Sequence, residues 1–191
     1  MTNSAFWFQT QLPDDVMQTI FKELNELGDT VFSDSNVCPD LEGEIDSSIR
    51  KSKNCWIPTS HWIGEIIWHY VMIANRENFL YDISHIQNKL IQYTHYDKGD
   101  YYDWHTDEGE IRMFGIESVR KLSFTIQLSN SDDYTGGDLE FSDSDDDKIS
   151  FKSPRDRGCM VIFDSRTLHR VSPVESGFRR SLVGWVEGST T

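Results

Sequence analysis

The stretch Leu168-His-Arg-Val-Ser-Pro-Val-Glu-Ser-Gly-Phe-Arg-Arg-Ser-Leu-Val-Gly-Trp185 predicts two strands of a sheet and carries two residues suited to chemistry. His169 is a candidate metal ligand, because a neutral imidazole binds first-row transition metals. Arg179 is a candidate anion clamp, because a guanidinium holds a carboxylate through two parallel hydrogen bonds. Alternation along the second strand puts Arg179 on the same face as Val183 and Trp185. The rest of the chain has to supply a partner for each candidate.

The C-terminal part of the chain has the pattern of an antiparallel β fold. After Asn75, short segments of β-rich residues alternate with Gly, Asp, Asn and Ser, which is typical of antiparallel sheets. Such a series predicts a mostly β protein with N-terminal helices and a jelly-roll core, also called a double-stranded β-helix. The predicted strands are residues 86–96, 101–105, 119–128, 138–141, 148–151, 159–163, 168–171 and 179–186.

The first 80 residues predict a layer of helices that supports this core. Residues 6–12 form a strand pattern, and a helix is predicted from Pro13 to Gly28 by apolar residues at helical spacing. Residues 29–48 are polar and without periodicity, which indicates a loop. Residues 50–57 predict another strand, and the run from Trp62 to Ala74 predicts a second helix with one broad apolar face.

Length and composition indicate a single folded unit. The chain has 191 residues, which matches the usual size of one domain. Apolar residues make up 37% of it and aromatic residues 13%, which is enough to build a core. We therefore expect one domain over residues 1–191, with residues 1–80 as helical support and residues 81–191 as the jelly-roll core that holds the site.

Charge and cysteine content narrow the class of partners. The formal net charge of -14 argues against nucleic-acid binding through phosphate contacts, since that mode needs clustered Lys and Arg. Residues 142–147 carry much of the acid, which predicts a local acidic rim. Three cysteines without CxxC spacing suit a reducing compartment, and no secretory signal or membrane-spanning apolar run is present. These features predict a soluble, cytoplasmic protein without membrane association, and they leave its oligomeric state open.

A second candidate feature is the His-x-Asp pair of His105 and Asp107. Residues i and i+2 of a strand share a face, so this imidazole and this carboxylate can point together into a barrel mouth. With His169 from a distant strand they would complete a 2-His-1-carboxylate triad, which leaves three coordination positions of Fe(II) open. The pair alone is a weak motif, because His95-Tyr-Asp97 is another example. Asp97 runs directly into a turn-forming Lys-Gly-Asp, so we expect its carboxylate to be exposed.

A spaced series of motifs runs through most of the chain. Its pieces are Gln92-Tyr-Thr-His-Tyr-Asp-Lys-Gly99, Tyr102 with His105 and Asp107, Arg120-Lys-Leu-Ser-Phe-Thr-Ile-Gln-Leu128, Gly136-Gly-Asp-Leu-Glu-Phe141, and His169-Arg-Val-Ser-Pro-Val174 through Gly177, Arg179 and Trp185. Together they resemble the Fe(II)/2-oxoglutarate-dependent dioxygenases, specifically the prolyl 4-hydroxylase-like group that includes bacterial and phage PKHD-type hydroxylases. The resemblance extends weakly upstream, through Arg50 to Trp56 and Asn75.

The resemblance implies a catalytic set of four residues. It makes His105, Asp107 and His169 the iron ligands, and it makes Arg179 the partner of the C5 carboxylate of 2-oxoglutarate. Arg180 faces the other way along the strand, so we expect it to be a solvent-facing charge.

The same resemblance implies two further contacts to the cosubstrate besides Arg179. Tyr96 aligns with a family tyrosine whose hydroxyl assists the C5 carboxylate. Gln127 lies where relatives place a cosubstrate contact, although the residue type varies at that position. The implied cofactor is Fe(II), the implied cosubstrates are 2-oxoglutarate and O2, and ascorbate is a further expected cofactor.

The expected reaction is hydroxylation coupled to decarboxylation of 2-oxoglutarate to succinate and CO2. The family points to a prolyl or similar residue in a peptide or protein as the substrate, in a bacterial or phage-infected host cell. Four aromatic residues near the predicted mouth could pack against a proline ring: Tyr101, Tyr102, Trp104 and Tyr134. Three alternatives stay open, namely the same chemistry on a small molecule, the same chemistry on nucleic acid, and a non-catalytic jelly-roll binding module.

Overall fold

The computed structural model describes residues 7–26, 33–34, 49–113, 116–142 and 149–190. Most of the predicted loop 29–48 and most of the acidic run 142–147 lie outside the described residues, and so does Cys38. The strands and helices in chain order are β1 (Trp7–Gln11), α1 (Asp14–Glu26), β2 (Ser33–Asp34), β3 (Arg50–Lys51), β4 (Lys53–Pro58), α2 (Trp62–Ala74), β5 (Ile83–Ile86), β6 (Leu90–Tyr96), β7 (Tyr101–His105), β8 (Glu110–Met113), β9 (Ile116–Gln127), β10 (Tyr134–Gly136), β11 (Leu139–Ser142), β12 (Phe151–Lys152), β13 (Cys159–Asp164), β14 (Leu168–Val171), β15 (Val174–Gly177) and β16 (Arg179–Gly188).

Most strands belong to two antiparallel sheets. The larger sheet has the order β1-β13-β9-β16-β6-β4-β2, with β5 also paired to β16 and β8 to β9. The smaller sheet has the order β12-β11-β14-β7-β3, and β10 and β15 form a separate pair. Strands from the N-terminal third therefore enter both sheets, since β1 and β4 join the larger and β3 the smaller.

Both helices cover one face of the larger sheet. Their apolar stripes pack into one cluster with alternate residues of the central strands β9, β13 and β16. Burial of each large aliphatic side chain in this layer is worth about 1.5–3 kcal/mol. The residues of the layer include Met17, Ile20 and Leu24 from α1, Ile63, Ile67 and Val71 from α2, and Phe124, Ile126, Met160, Ile162, Leu182 and Val186 from the strands.

The other face of the larger sheet turns toward the smaller sheet. Along β13, Met160 and Ile162 point to the helices, whereas Val161 and Phe163 join a second apolar cluster with Phe141 of β11. This alternation follows from the strand period of two, because both faces of a central strand are buried. The space between the sheets is thus the interior into which β7, β9, β14 and β16 can project polar residues.

The structure differs from the sequence-based prediction at several strands. The predicted strand 50–57 is divided between β3 and β4, which belong to different sheets and are separated by the buried Ser52. The predicted strand 86–96 is interrupted by a turn at Gln87–Lys89, where Asn88 has a φ of 53°. Among the described strands, five short ones were not predicted, because two to four residues carry no readable period. These are β2, which lies in the predicted loop, β5, of which only Ile86 was included, and β8, β10 and β15.

Among the described residues, neither α1 nor α2 has the length and apolar character needed to span a membrane.

Candidate active site

Three side chains converge between the sheets at the paired ends of β7 and β14. His169 lies directly opposite His105 in the register of these two strands. Asp107 follows two residues after His105, and its backbone N–H donates to the Ser165 carbonyl at 2.9 Å. The metal-ligating atoms of His105, Asp107 and His169 all lie within 4.8 Å of one another. The structure thus brings together the three residues predicted as metal ligands.

The hydrogen bonds of the two imidazoles leave one nitrogen of each free for the cluster. Nδ1 of His105 lies 2.6 Å from the Asp103 carbonyl, and Nδ1 of His169 lies 2.9 Å from the Thr167 carbonyl. A carbonyl only accepts, so each Nδ1–H donates, and the lone pair of each ring is then on Nε2. Both Nε2 atoms face Asp107, at 3.6 Å from Oδ1 for His105 and 3.4 Å from Oδ2 for His169.

Electrostatics set the protonation state that metal binding requires. Burial, and then repulsion from His169, lower the pKa of His105 to about 4. Burial raises the pKa of Asp107, but attraction to His169 and His105 outweighs it and leaves that pKa below its ordinary value. At neutral pH the site therefore offers a neutral His105 imidazole and an ionised Asp107 carboxylate, which are the forms that coordinate a divalent cation.

Arg179 lines the same cavity as the cluster, a cleft of about 470 Å³ with its open mouth included. Its side chain is buried, with 3% of the residue exposed, and it donates to the Ser181 hydroxyl at 3.1 Å. Within the described ranges, no carboxylate lies within 4 Å of the Arg179 guanidinium. A buried cation without a counter-charge is costly. The cavity is therefore electrostatically suited to an anion.

The neighbouring cation Arg180 has a different environment. Its guanidinium lies 4.8 Å from the Phe178 ring centroid, and it is absent from the cavity lining. The side chain is half-buried, so the expectation of a fully solvent-facing charge holds only in part. Its Nε is buried and has no hydrogen-bond partner within the described part of the chain.

Tyr96 also lines the cavity and lies opposite Arg179 in the pairing of β6 with β16. The Arg179 guanidinium lies 5.5 Å from the centroid of its ring. None of the described residues forms a hydrogen bond with the Tyr96 hydroxyl. Tyr96 therefore lies near enough to Arg179 to share an anion with it.

Gln127 lies outside this cavity and lines a smaller one that Arg179 also lines. Its amide Nε2 donates to the Tyr134 hydroxyl at 2.9 Å. Tyr134 is 4% exposed, so it is an interior residue and does not lie at the mouth as expected from the sequence. Tyr102 does line the cavity, and its ring stacks on His105 with centroids 3.5 Å apart.

The second His-x-Asp pair lies away from the cavity. His95 Nε2 is 3.0 Å from Asp97 Oδ1, and Lys53 Nζ is 2.9 Å from Asp97 Oδ2. The Asp97 side chain is 48% exposed at the end of β6, as its turn composition predicted. The pair thus joins a partly buried His95 to an exposed carboxylate that Lys53 balances.

Several cavity residues were not singled out from the sequence. Gln92 on β6 and Thr125 on β9 are buried polar residues at alternate positions of apolar strands, and this period could have marked them as facing an interior site. Arg50 lines the cavity from β3, with its guanidinium 4.8 Å from the Tyr102 ring centroid. No local pattern predicts the Arg50 position, because it depends on the pairing of β3 with β7.

Comparisons with known proteins agree with this arrangement. A PKHD-type hydroxylase of Synechococcus elongatus is 32% identical over 127 residues, which cover 65% of this chain and 56% of the relative. A prolyl-4-hydroxylase from Pseudomonas putida has a similar structure, with a TM-score of 0.69, 18% identity and coverage of 98% of this chain and 95% of the other. A prolyl hydroxylase from Trichoplax adhaerens, solved with a hypoxia inducible factor peptide fragment, has a TM-score of 0.72, 19% identity and coverage of 96% and 84%.

The structural likenesses confirm the predicted double-stranded β-helix fold. The matched segments span between 37% and 56% of the length of the curated relatives. The family model of the 2OG-Fe(II) oxygenase superfamily matches residues 91–187, which is just over half of the chain. The match contains the His-Asp-His cluster and Arg179. On this ground the chain belongs to the 2OG-Fe(II) oxygenase superfamily.

Proposed function

We propose that this protein is an Fe(II)- and 2-oxoglutarate-dependent hydroxylase that acts on a peptide or protein. The observation that carries the proposal is the presence, in one cavity, of the His105, Asp107 and His169 cluster and of the unpaired Arg179. The donor set fits Fe(II), because two imidazoles and one carboxylate leave coordination positions open for other ligands. The buried guanidinium fits the far carboxylate of 2-oxoglutarate, since no described carboxylate neutralises it.

The roles of the residues follow from these positions. His105, Asp107 and His169 would hold the metal, and Arg179 would bind and orient the cosubstrate. When bound, the iron supplies the activation of O2 that drives decarboxylation of 2-oxoglutarate and hydroxylation of the substrate. The protein itself provides position, charge and exclusion of water.

Rings around the cluster keep the imidazoles in place and water out. Tyr102 stacks on His105, and Phe163 contacts His169 edge-on with centroids 4.8 Å apart. Burial raises the pKa of Tyr102 to about 12, so its hydroxyl stays neutral at physiological pH. Apolar walls of this kind limit access of water to reactive groups.

A peptide or protein substrate is supported by the prolyl hydroxylases of similar fold, one of which was solved with a peptide fragment. Tyr102 lines the cavity, and Trp104 lies on the same strand beneath the Arg170 guanidinium at 4.7 Å. Both rings already contact side chains of this protein, Tyr102 with His105 and Arg50 and Trp104 with Arg170, so they do not by themselves support a proline-ring substrate. We further propose a single domain over residues 1–191 and a cytoplasmic location, to which the free, buried Cys55 and Cys159 are suited.

The proposal is tested by succinate formation from 2-oxoglutarate in air with Fe(II) and ascorbate, and by a mass-spectrometric search for +16 Da shifts in added peptides. His169→Ala should abolish both signals and weaken metal binding by more than about 100-fold, because loss of a ligand exceeds the effect of losing its outer partners. His95→Ala is the matched control, since it removes the histidine of the second His-x-Asp pair.

The outcomes are distinct. Metal bound at one equivalent without succinate formation would replace the proposal with a non-catalytic binding module. Hydroxylation of single-stranded DNA or of a small molecule, with no peptide modified, would overturn the substrate class and leave the chemistry in place.

A further inference from the structure

A second cavity shares Arg179 with the cavity of the His-Asp-His cluster but is lined by none of the three cluster residues, and we call it the rear cavity. Arg179, Thr125 and Leu139 line both cavities, while Gln127, Tyr134 and Arg155 line only the rear one. The polar groups of the rear cavity therefore lie next to Arg179. This buried cation has no carboxylate partner among the described residues. The shared lining makes these polar groups candidate donors to an anion that Arg179 would bind.

The hydroxyl of Tyr134 is a donor that remains available there, besides the hydroxyl of Thr125. Gln127 Nε2 donates to the Tyr134 oxygen at 2.9 Å, so that oxygen is an acceptor in this bond and keeps its own proton. No described residue accepts that proton. A buried hydroxyl proton without an acceptor is unfavourable, and an anion held by Arg179 would satisfy it.

The ring of Tyr134 and the side chain of Arg179 come close over a glycine. A Cβ placed on Gly137 would lie 3.2 Å from Cε2 of Tyr134 and 3.3 Å from Cδ of Arg179. The missing side chain at Gly137 is what allows both residues to approach the same point.

Arg155 holds Tyr134 in this position without competing for the anion. Its guanidinium lies 4.1 Å from the Tyr134 ring centroid, and its Nη2 donates to the Tyr134 carbonyl at 2.6 Å. The charge of Arg155 is already balanced by Asp138, at 2.8 Å. Arg179 is thus the cation of this region that is free to bind an added carboxylate.

We propose that Tyr134 is the second donor to the far carboxylate of 2-oxoglutarate, and that Gln127 orients Tyr134 without touching the cosubstrate. This inference rests on the proposed function. It changes the role expected for Gln127 from direct contact with 2-oxoglutarate to positioning of Tyr134. It also adds Tyr134, which was expected from the sequence to lie at the mouth, to the residues that bind the cosubstrate. Tyr96 is the competing donor, because it lines the other cavity that Arg179 lines.

The test is a binding measurement on Mn(II)-loaded protein under nitrogen, by isothermal titration calorimetry. Two ligands are compared: 2-oxoglutarate, and 2-oxopentanoate, which lacks the far carboxylate. Tyr134→Phe should weaken binding of 2-oxoglutarate about tenfold, the usual worth of a hydrogen bond to a charged group. Binding of 2-oxopentanoate should be unchanged, and a merely structural role of Tyr134 would weaken both ligands equally.

Tyr93→Phe is the matched control, since Tyr93 is equally buried at 4% but packs in the helix-facing cluster. If Tyr134→Phe fails to fold, Gln127→Met carries the same test and should give a smaller loss that is again confined to 2-oxoglutarate. Equal binding by wild type and Tyr134→Phe, or a selective loss in Tyr96→Phe alone, would overturn this inference. Failure of the wild type to bind 2-oxoglutarate would instead overturn the proposed function.

Discussion

Arg179 and Arg180 are adjacent residues of one type that the fold places in opposite environments. Arg179 is 3% exposed in the cavity between the sheets, while Arg180 contacts Phe178 outside it. The difference follows from the two-residue period of β16, which turns successive side chains to opposite faces. At the scale of single residues, position on a strand decides whether a guanidinium lines the cavity or lies outside it.

Gly137 gives a residue-scale prediction about the cosubstrate site. Its φ is +62°, and an added Cβ would lie 3.0–3.3 Å from Val174, Tyr134 and Arg179. Gly137→Ala should cost roughly 1–2 kcal/mol of stability for the left-handed backbone. It should also weaken 2-oxoglutarate binding about tenfold, less than the roughly 3–5 kcal/mol that removal of one partner of a buried ion pair costs. Calorimetric titration measures the second effect.

Gly99→Ala separates backbone strain from crowding. Gly99 has a φ of +84°, but nothing lies within 4 Å of the position its Cβ would take. This variant should lose a similar free energy of unfolding and keep the wild-type affinity for 2-oxoglutarate. An unchanged affinity in Gly137→Ala would show that Arg179 and Tyr134 can shift without cost.

At the scale of elements, the pairing of β7 with β14 brings together the candidate metal ligands. One strand supplies His105 and directs Asp107, and the other supplies His169 directly across from His105. The register shifts between His169 and Val171, so the two strands depart from regular pairing immediately beside the cluster. Irregularities of this type re-aim side chains near functional sites.

Asp164 at the end of β13 gives a prediction at this scale, because it joins β13 to the segment after α2. Its carboxylate accepts from the Tyr81 hydroxyl and from Arg166 Nε at 2.9 Å. Burial raises the pKa of Asp164, but the hydrogen bonds from Arg166 and Tyr81 outweigh it and leave that pKa below the ordinary 3.8. Asp164→Asn should lower the free energy of unfolding at neutral pH by about 1–3 kcal/mol.

The pH dependence of this effect has a defined sign. A carboxyl whose pKa is lower in the folded than in the unfolded state adds stability above its unfolded pKa, and that stability is lost as the pH falls through the folded value. The gap in stability between wild type and Asp164→Asn should therefore shrink below about pH 3.8, as followed by urea unfolding. Asp156→Asn, at an exposed position, should match wild type throughout. A stability difference between wild type and Asp164→Asn that stays constant with pH would mean that the charge of the Asp164 carboxylate does not contribute to stability.

At the scale of the whole molecule, the formal net charge of -14 is expected to favour the approach of a basic substrate. A charge of this size attracts a basic polypeptide and is screened by salt beyond a distance of about 8–10 Å at physiological ionic strength. For a Lys-rich peptide substrate, KM should rise several-fold between about 20 and 200 mM salt while kcat stays unchanged. Initial-rate kinetics check this, with a neutral peptide of equal length as control. The same salt dependence for both peptides would remove long-range attraction as the cause.

Much of the fold was predictable, because strand and helix patterns are local. The predicted strands 101–105 and 168–171 coincide with β7 and β14, and α2 covers the predicted run from Trp62 to Ala74. The division of residues 50–57 between two sheets was not predictable, since both parts have the same strand pattern. Their separation depends on pairing with β7 and with β6, which are distant in the chain.

For the site, the sequence by itself determined which side chains share one face of a strand, because side chains along a strand alternate with a period of two. His105 and Asp107 share a face, and Arg179 shares one with Val183 and Trp185, because these relations lie within single strands. Only the tertiary structure decided which faces meet. In the structure, His169 lies across from His105. Tyr134 lies in the interior and not, as was expected from the sequence, at the mouth, and it accepts a hydrogen bond from Gln127 beside Arg179. The physical reason is that strand pairing and side-chain hydrogen bonds between distant segments depend on the packed core.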